Sequence, residues 1–211
     1  MNHGQEYKAI VSKYFRHCAN ADVLEIGPNM GEHTAMITEY KPKIVTLVEA
    51  NPECEIYLKL HFGNYNPHFK GQLAKNYNVI IDDVHNYLKD EHKHDVVVCC
   101  GVLYHLSSPV HLLELIANSA NPEIVILETW HSGFLGNPKW NDSKAYIGEQ
   151  LTNIPGYYYT CNKKSSKVHV RFSKEFIIKV MSNLGYDLIE EEVYKKDQDN
   201  CTMTVFKRND G

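Results

Sequence analysis

The chain has 211 residues, of which 43% are hydrophobic, and this is enough for one domain to bury a full core. Its formal net charge of −4 provides no overall attraction for nucleic acid or for an anionic membrane. The N-terminus is too polar for a signal peptide, and no apolar run approaches the length of a membrane span, so a cytoplasmic location without membrane contact is expected. Six cysteines without a C-x-x-C pair indicate reduced thiols rather than a disulfide framework or a zinc site.

Strand and helix patterns alternate along most of the chain. After a helix at about 5–17, strands are predicted at about 22–26, 44–49, 78–82, 95–100 and 123–129, with helices at about 31–40, 52–62, 84–90 and 109–119 between them. Ser173 is predicted to cap a helix that ends near Gly185, and two final strands at about 186–194 and 200–206 form a hairpin. The fold class is therefore α/β, a Rossmann-like, mostly parallel seven-stranded sheet with a C-terminal antiparallel hairpin and helices on both faces.

The turn after the first predicted strand is the most informative segment of the chain. It runs V-L-E-I-G-P-N-M-G-E from Val23, directly into a helical pattern. Gly27 lets the chain turn without a Cβ clash, and Gly31 lets the backbone approach a ligand at the positive end of the next helix. Glu49 ends the second predicted strand, where an acid can accept both hydroxyls of a ribose. This arrangement predicts a loop that binds a nucleotide.

The loop departs from the dinucleotide-binding pattern, because it lacks the middle glycine and because Glu25 would repel a pyrophosphate. The combination resembles class I S-adenosylmethionine-dependent methyltransferases, whose cofactor carries a sulfonium and an amino group but no phosphate. The resemblance implies a cofactor site formed by Glu25, Gly27, Asn29, Gly31 and Glu49. The alternative is a glycine turn in some other α/β protein.

The third predicted strand ends in two acids, Asp82 and Asp83, followed by Val84. In the methyltransferase family an acid at this place accepts a hydrogen bond from the adenine amino group. Asp83 and Val84 match the usual pair of an acid and an apolar residue, so the resemblance assigns them to the cofactor site. The alternative is that both acids cap the helix that begins near Val84.

The fourth predicted strand runs into the motif G-V-L-Y-H-L-S-S-P, which begins at Gly101. In the family, backbone carbonyls near this point bind the methionyl amine. The motif is similar to that of the tRNA wobble-uridine carboxymethyltransferases, which use carboxy-S-adenosylmethionine and whose tyrosine faces the transferred group. The resemblance gives Tyr104 the same role. Small-molecule methyltransferases carry similar stretches, so the acceptor does not follow from the motif.

A methyl transfer to oxygen usually needs a base in addition to the alignment of the reacting atoms. His105 is the first candidate because it follows Tyr104 at the cofactor edge and because histidine titrates near neutrality. His131 is the second candidate, since it leaves the fifth predicted strand toward the same edge. His92 and His94 are interpreted as part of a solvated charged loop, and no metal site is predicted.

Residues 131–171 lose helical and strand periodicity and collect aromatic and basic side chains. In related enzymes the corresponding segment forms a lid over the acceptor. The predicted substrate-binding residues in and beside it are Trp130, Trp140, Tyr157, Tyr159 and Arg171. The alternative is a packed insertion whose basic residues are solvated. Residues 1–211 are thus expected to form a single methyltransferase domain with this lid as an insertion.

The leading function is the transfer of a methyl group from S-adenosylmethionine to an oxygen or nitrogen of a small-molecule acceptor. A second hypothesis is a tRNA base-modifying methyl- or carboxymethyltransferase, in which the same cluster would bind a phosphate backbone and stack a base. The net negative charge disfavours RNA, although a local basic stripe is enough to bind it. A third hypothesis is a non-catalytic domain that only binds S-adenosylmethionine. The motifs set neither the transferred group nor the oligomeric state.

Overall fold

A computed structural model describes residues 3–62, 76–130, 157–162, 167–196 and 199–209. Helices and strands alternate from the N-terminus. The elements are α1 (His3–Ser12), β1 (Asp22–Ile26), α2 (Glu32–Thr38), β2 (Ile44–Glu49), α3 (Glu55–His61), β3 (Tyr77–Ile81), α4 (Val84–Tyr87), β4 (Val96–Cys100), α5 (Pro109–Leu115), β5 (Ile124–Trp130), β6 (Tyr157–Asn162), β7 (Lys167–Phe172), α6 (Lys174–Asn183), β8 (Tyr186–Lys196) and β9 (Asp199–Arg208). Short 3-10 helices lie at Lys13–Cys18, Pro52–Cys54 and Leu103–His105.

The main sheet has seven strands in the order β3-β2-β1-β4-β5-β9-β8. Strands β1 to β5 are parallel, whereas β9 is antiparallel to both β5 and β8. The predicted Rossmann-like sheet with a C-terminal antiparallel hairpin is confirmed. Because β1 lies between β2 and β4, the strand order reverses there, and ligands of open α/β sheets bind at the carboxyl ends of the strands at such a point.

Two apolar clusters cover the two faces of the sheet. The first packs α1, α2 and α3 against residues such as Val23, Leu47 and Ile126, and the second packs α4, α5 and α6 against residues such as Leu24 and Val97. Every residue of Val96–Cys100 is buried, which is why this strand is apolar throughout rather than alternating. The two clusters thus bury both faces of the sheet beneath the loops at its carboxyl edge.

The period of the strands brings three acids to one face of this edge. Glu25, Glu49 and Glu128 follow Val23, Leu47 and Ile126 by two residues, and those apolar residues all belong to the first cluster. Because side chains two apart along a strand share a face, the three carboxylates lie on the side that α1, α2 and α3 cover. Their exposed fractions are only 2%, 8% and 1%. The sheet therefore places three buried acids on one face.

Two expectations from the sequence are wrong. Within the segment where no periodicity is apparent, β6 and β7 form a separate antiparallel hairpin, in which Tyr158 pairs with Arg171. Polar and apolar residues alternate over Lys167–Phe172, which is a strand signal, but the run is too short to stand out in the sequence. His94 is not solvated: it is buried, and its Nδ1 lies 2.8 Å from Asp22 Oδ1.

The C-terminal helix begins where the sequence predicts. Ser173 is the N-cap of α6, and its Oγ accepts a 3.1 Å hydrogen bond from the Phe176 backbone N–H. Gly185, just after the helix, has a φ of 84°. Five buried cysteines form no disulfide, namely Cys18, Cys54, Cys99, Cys100 and Cys201. The side chain of Cys161 lies outside the described residues.

Candidate functional site

The turn between β1 and α2 requires glycine at two positions. Gly27 has a φ of 66° and Gly31 a φ of 78°, a region that other residues rarely adopt. A Cβ on Gly27 would lie 2.6 Å from Val102 Cγ2, and one on Gly31 would lie 2.3 Å from Phe62 Cε2. The glycines thus let two neighbouring side chains pack against the turn. This packing is a reason for glycine that the sequence does not show, and the predicted approach of a ligand to Gly31 stays a prediction.

Glu49 joins this turn to the segment after β2. Its Oε2 accepts a 2.8 Å hydrogen bond from the Asn29 N–H, and its Oε1 accepts one of 2.8 Å from the Asn51 N–H. Asn29 itself has a positive φ of 51°. A carboxylate oxygen has two acceptor sites, so each oxygen can accept one further hydrogen bond. The predicted contact of Glu49 with two ribose hydroxyls is compatible with this geometry.

Glu25 is a buried acid with an oxygen available for a ligand. Its Oε2 accepts a 2.6 Å hydrogen bond from Thr34 Oγ1, whereas Oε1 has no hydrogen-bond partner among the described residues. Burial raises the pKa of Glu25 to about 7; the Thr34 hydrogen bond opposes this effect, and the charge of Glu49 adds to it. A buried acceptor without a partner is costly, so this oxygen fits the ammonium group of a bound cofactor.

Glu25 predicts how the stability of the unliganded protein changes with pH. Because its pKa of about 7 in the folded state exceeds the ordinary value of 4.5, its stabilising contribution is complete below pH 4.5 and is lost as the pH rises through 7. Relative to Glu25→Gln, the wild type should lose up to about 3 kcal/mol of unfolding free energy over this interval. Urea unfolding of both proteins across this pH range measures the difference. A difference that does not change with pH would contradict the prediction.

Asp82 and Asp83 both support the start of α4, as the capping alternative predicts. Asp83 Oδ1 accepts a 2.8 Å hydrogen bond from the His85 backbone N–H, and Asp82 Oδ1 accepts one of 3.2 Å from Asn86 Nδ2. Burial raises the pKa of Asp83, but the hydrogen bonds from His85 outweigh it, so the pKa is lowered. The side chain of Asp83 is 56% exposed and that of Val84 packs in the core. The adenine contact assigned to this pair stays a prediction.

Gly101, Tyr104 and Glu128 meet at the end of β4. Gly101 has a φ of 74°, and its N–H donates a 3.2 Å hydrogen bond to the Glu128 carbonyl oxygen. A Cβ on Gly101 would lie 3.5 Å from the Tyr104 hydroxyl and 3.8 Å from Glu128 Oε2. The phenol and the carboxylate therefore lie on the same side of Gly101. Glu128 was not predicted from the sequence; its place near the carboxyl end of β5, two residues after Ile126, is the signal that points to it.

His105 lies on the outer side of the Leu103–His105 turn, which also carries Tyr104. Its ring centroid lies 4.2 Å from that of Tyr104, which is buried, while His105 itself is exposed. The structure thus brings His105 next to the residue that is predicted to face the transferred group. His131, the second candidate base, lies outside the described residues.

The N-terminal helix and strand β8 each contribute one further ring to this edge, Tyr7 and Tyr194 respectively. The Tyr194 hydroxyl donates a hydrogen bond to Glu128 Oε1, and the Tyr7 ring lies 5.9 Å from the Tyr194 ring. The Tyr7 hydroxyl oxygen lies 2.6 Å from His33 Nε2. Burial and the charge of Glu128 raise the pKa values of both tyrosines. Helix α1 therefore lies beside the carboxyl edge, close to Glu128.

The β6–β7 hairpin lies close to the Leu103–His105 turn. Strand β7 contacts this turn and also β5. Tyr157 and Tyr159 belong to β6 and Arg171 to β7, but their side chains are outside the described residues, as is that of Trp130 at the end of β5. Trp140 lies in a segment that the structure does not describe. The assignment of these residues to the substrate stays a prediction.

A family model described as a methyltransferase domain matches residues 2–191 of the chain. The chain belongs to this methyltransferase family. Among curated proteins, it is 29% identical over 127 residues to the tRNA U34 carboxymethyltransferase of Campylobacter lari and 30% identical over 109 residues to that of Campylobacter fetus. The matches cover 58% and 52% of this chain but only 40% and 36% of the two relatives.

Solved methyltransferase structures share the fold. Magnesium protoporphyrin IX methyltransferase from Synechocystis, with S-adenosylmethionine bound, aligns with a TM-score of 0.66 at 11% identity and covers 98% of this chain and 80% of its own. A methyltransferase from Methanosarcina mazei aligns with a TM-score of 0.70 at 9% identity over 94% of this chain and 96% of its own. The 1,6-didemethyltoxoflavin-N1-methyltransferase of Burkholderia thailandensis, with S-adenosylhomocysteine bound, aligns with a TM-score of 0.66 at 14% identity, over 99% of this chain and 79% of its own. Two of these structures thus hold the predicted cofactor or its demethylated product.

No group of three or more His, Cys, Asp or Glu residues in the described ranges is arranged to hold a metal ion. Among the helices that the structure describes, none has the length and apolar character needed to cross a membrane.

Proposed function

We propose that this methyltransferase transfers a methyl group from S-adenosylmethionine to an oxygen or nitrogen of a small-molecule acceptor. The observation that carries the proposal is the pair of buried acids beside the glycine turn. Glu25 has one oxygen available, and Glu49 is fixed by two backbone N–H groups. The two acids match two of the polar parts of the cofactor, its ammonium group and its ribose diol.

Each polar part of the cofactor has a candidate partner. Glu25 binds the ammonium group, Glu49 the ribose hydroxyls, Asp83 the adenine amino group, and the backbone at Gly101 the methionyl end. The cofactor supplies an electrophilic methyl group on a sulfonium. Tyr104 limits the space around that group, and His105 accepts the proton that the acceptor releases.

The acceptor reaches the site beneath the β6–β7 hairpin. In support of this role, β7 contacts the turn that carries Tyr104 and His105. A segment in this place excludes water and aligns the acceptor with the methyl group. Residues 131–171 thus act as the lid of a single methyltransferase domain, with Tyr157, Tyr159 and Arg171 on its hairpin.

The tRNA-modifying alternative retains specific support. Both curated relatives named above are tRNA U34 carboxymethyltransferases, and this chain spans about two fifths of their length or less. Mass spectrometry of small molecules that copurify with the protein discriminates between the two functions. Bound S-adenosylmethionine with a small acceptor supports the proposal. Bound carboxy-S-adenosylmethionine, together with carboxymethylation of added tRNA, would establish the alternative instead.

The lid assignment makes a prediction that can be tested with neighbouring tyrosines. Because residues alternate along a strand, Tyr157 and Tyr159 lie on one face of β6 and Tyr158 lies on the other. If the first face contacts the acceptor, replacing both Tyr157 and Tyr159 by alanine should raise the acceptor KM by about tenfold or more, because aromatic contact area is lost. The affinity for S-adenosylmethionine should stay within about twofold of wild type.

Tyr158→Ala is the matched control: it removes the same side chain from the opposite face of β6 and should leave the acceptor KM near that of wild type. Steady-state kinetics measure the acceptor KM, and calorimetry measures the affinity for S-adenosylmethionine. Equal losses of cofactor affinity and thermal stability in the double variant would support the packed-insertion alternative.

A further inference from the structure

We propose that Glu128 recognises the positive charge of the cofactor's sulfonium, so that the site distinguishes S-adenosylmethionine from its neutral product S-adenosylhomocysteine. This inference rests on the proposed function, since it concerns the same site. It assigns a role to a buried acid that neither the glycine turn nor the motif at Gly101 includes.

The position of Glu128 is the first argument. Its Oε2 lies 3.8 Å, and the Tyr104 hydroxyl 3.5 Å, from the point where a Cβ on Gly101 would be. Gly101 and Tyr104 are the residues assigned to the methionyl end and to the transferred group. A carboxylate on the same side of Gly101 as the Tyr104 hydroxyl is therefore placed at the reacting end of the ligand.

The surroundings of Glu128 are the second argument. The residue is 1% exposed, and the Tyr194 hydroxyl donates a hydrogen bond to its Oε1. This bond fixes the orientation of the carboxyl group. Burial, and then the charge of Glu128, raise the pKa of both Tyr194 and Tyr7, which keeps these phenols neutral beside it. Because Glu128 is buried, its carboxylate attracts a nearby cation more strongly than it would in solvent.

The division of roles among the three acids on this face is the third argument. Glu49 is bonded to two backbone N–H groups, and Glu25 lies on β1 with one oxygen available beside Thr34. Glu128 lies on β5, with β4 between it and β1. The ligand has two cationic centres, an ammonium and a sulfonium, so two separated carboxylates match two separated charges.

The charge that Glu128 recognises disappears in the reaction. When the lone pair of the acceptor takes the methyl group, the electron pair of the broken S–C bond stays on sulfur. The acceptor's proton passes to a base, and sulfur becomes neutral. Glu128 then loses its attraction for the ligand, whereas Glu25 keeps its ammonium partner. The acid on β5 thus favours binding of the cofactor over retention of the product.

Isothermal titration calorimetry with three ligands tests the assignment without an acceptor. The ligands are S-adenosylmethionine, S-adenosylhomocysteine and sinefungin, which carries a protonated amine in place of the sulfonium methyl group. Glu128→Gln should reduce the preference for S-adenosylmethionine over S-adenosylhomocysteine by about tenfold. It should also reduce the preference for sinefungin over S-adenosylhomocysteine. Glu25→Gln is the matched control. It should weaken all three ligands by similar factors, because each contains the ammonium group.

The measurements are made near pH 8, about one unit above the pKa of Glu25, so that this acid is mostly ionised. Circular dichroism establishes first that each variant is folded. If Glu128→Gln is unfolded, Glu128→Asp is used instead, because aspartate keeps the charge but places it one methylene farther from the ligand. Glu128→Asp must then lower the preference for S-adenosylmethionine over S-adenosylhomocysteine.

Equal weakening of all three ligands by the Glu128 variant, or no change in any of them, would overturn the inference. A wild-type protein that binds neither S-adenosylmethionine nor S-adenosylhomocysteine would instead contradict the proposed function.

Discussion

Replacing His105 by alanine is expected to lower turnover by about 10²–10⁴-fold, the usual contribution of a general base, while S-adenosylmethionine still binds. The structure places the exposed His105 ring 4.2 Å from the ring of Tyr104, at the carboxyl edge of β4. A histidine there can accept the proton of a bound hydroxyl or amine near neutral pH. Steady-state kinetics with an identified acceptor, together with cofactor titration by calorimetry, separates the loss of turnover from a loss of binding.

His111→Ala is the matched control for this experiment. His111 is also exposed, and it lies on α5 after the motif, with its ring 5.6 Å from that of His85. Its replacement should leave turnover unchanged. If His105→Ala keeps turnover within a few-fold of wild type, His105 is not the base. His131 then becomes the next candidate, or alignment of an acceptor that is already nucleophilic suffices.

Replacing Glu49 by alanine is expected to weaken S-adenosylmethionine binding by about 1–3 kcal/mol, which corresponds to roughly 5- to 150-fold in affinity. The variant loses the proposed acceptor for the ribose hydroxyls. It also releases the N–H groups of Asn29 and Asn51, which Glu49 orients at 2.8 Å each. Both effects act at the glycine turn, so the replacement should lower the affinity for the cofactor more than it lowers the free energy of unfolding. Calorimetric titration measures it directly.

Glu53→Ala controls for the removal of negative charge near this turn. Glu53 is an exposed acid close to Glu49 in the sequence, and its replacement should change the affinity by less than about twofold. Titration with NAD tests the ligand class, because Glu25 and the missing middle glycine disfavour a pyrophosphate. Unchanged affinity for S-adenosylmethionine in Glu49→Ala, or tight binding of NAD to the wild type, would contradict the assignment.

Local signals in the sequence were sufficient to predict the seven-stranded sheet. Strand β4 is apolar throughout because both of its faces are buried, and the turn at Gly27 follows directly from β1. Such signals lie within a few residues of one another, so they can be recognised without the fold. Helix ends were less predictable: α1 ends at Ser12, and a 3-10 helix continues to Cys18, because tertiary packing decides how the last turns are formed.

What the sequence by itself determined is the family, the succession of parallel strands along the chain and the positions of Glu25 and Glu49 near strand ends, since each depends on a short local pattern. Only the tertiary structure decided what surrounds them. The contacts of Phe62 with Gly31 and of Tyr194 with Glu128, like that of β7 with the Leu103–His105 turn, join segments far apart in the chain. No local periodicity encodes such contacts, because they form only when the packing of helices and strands around the sheet brings distant residues together.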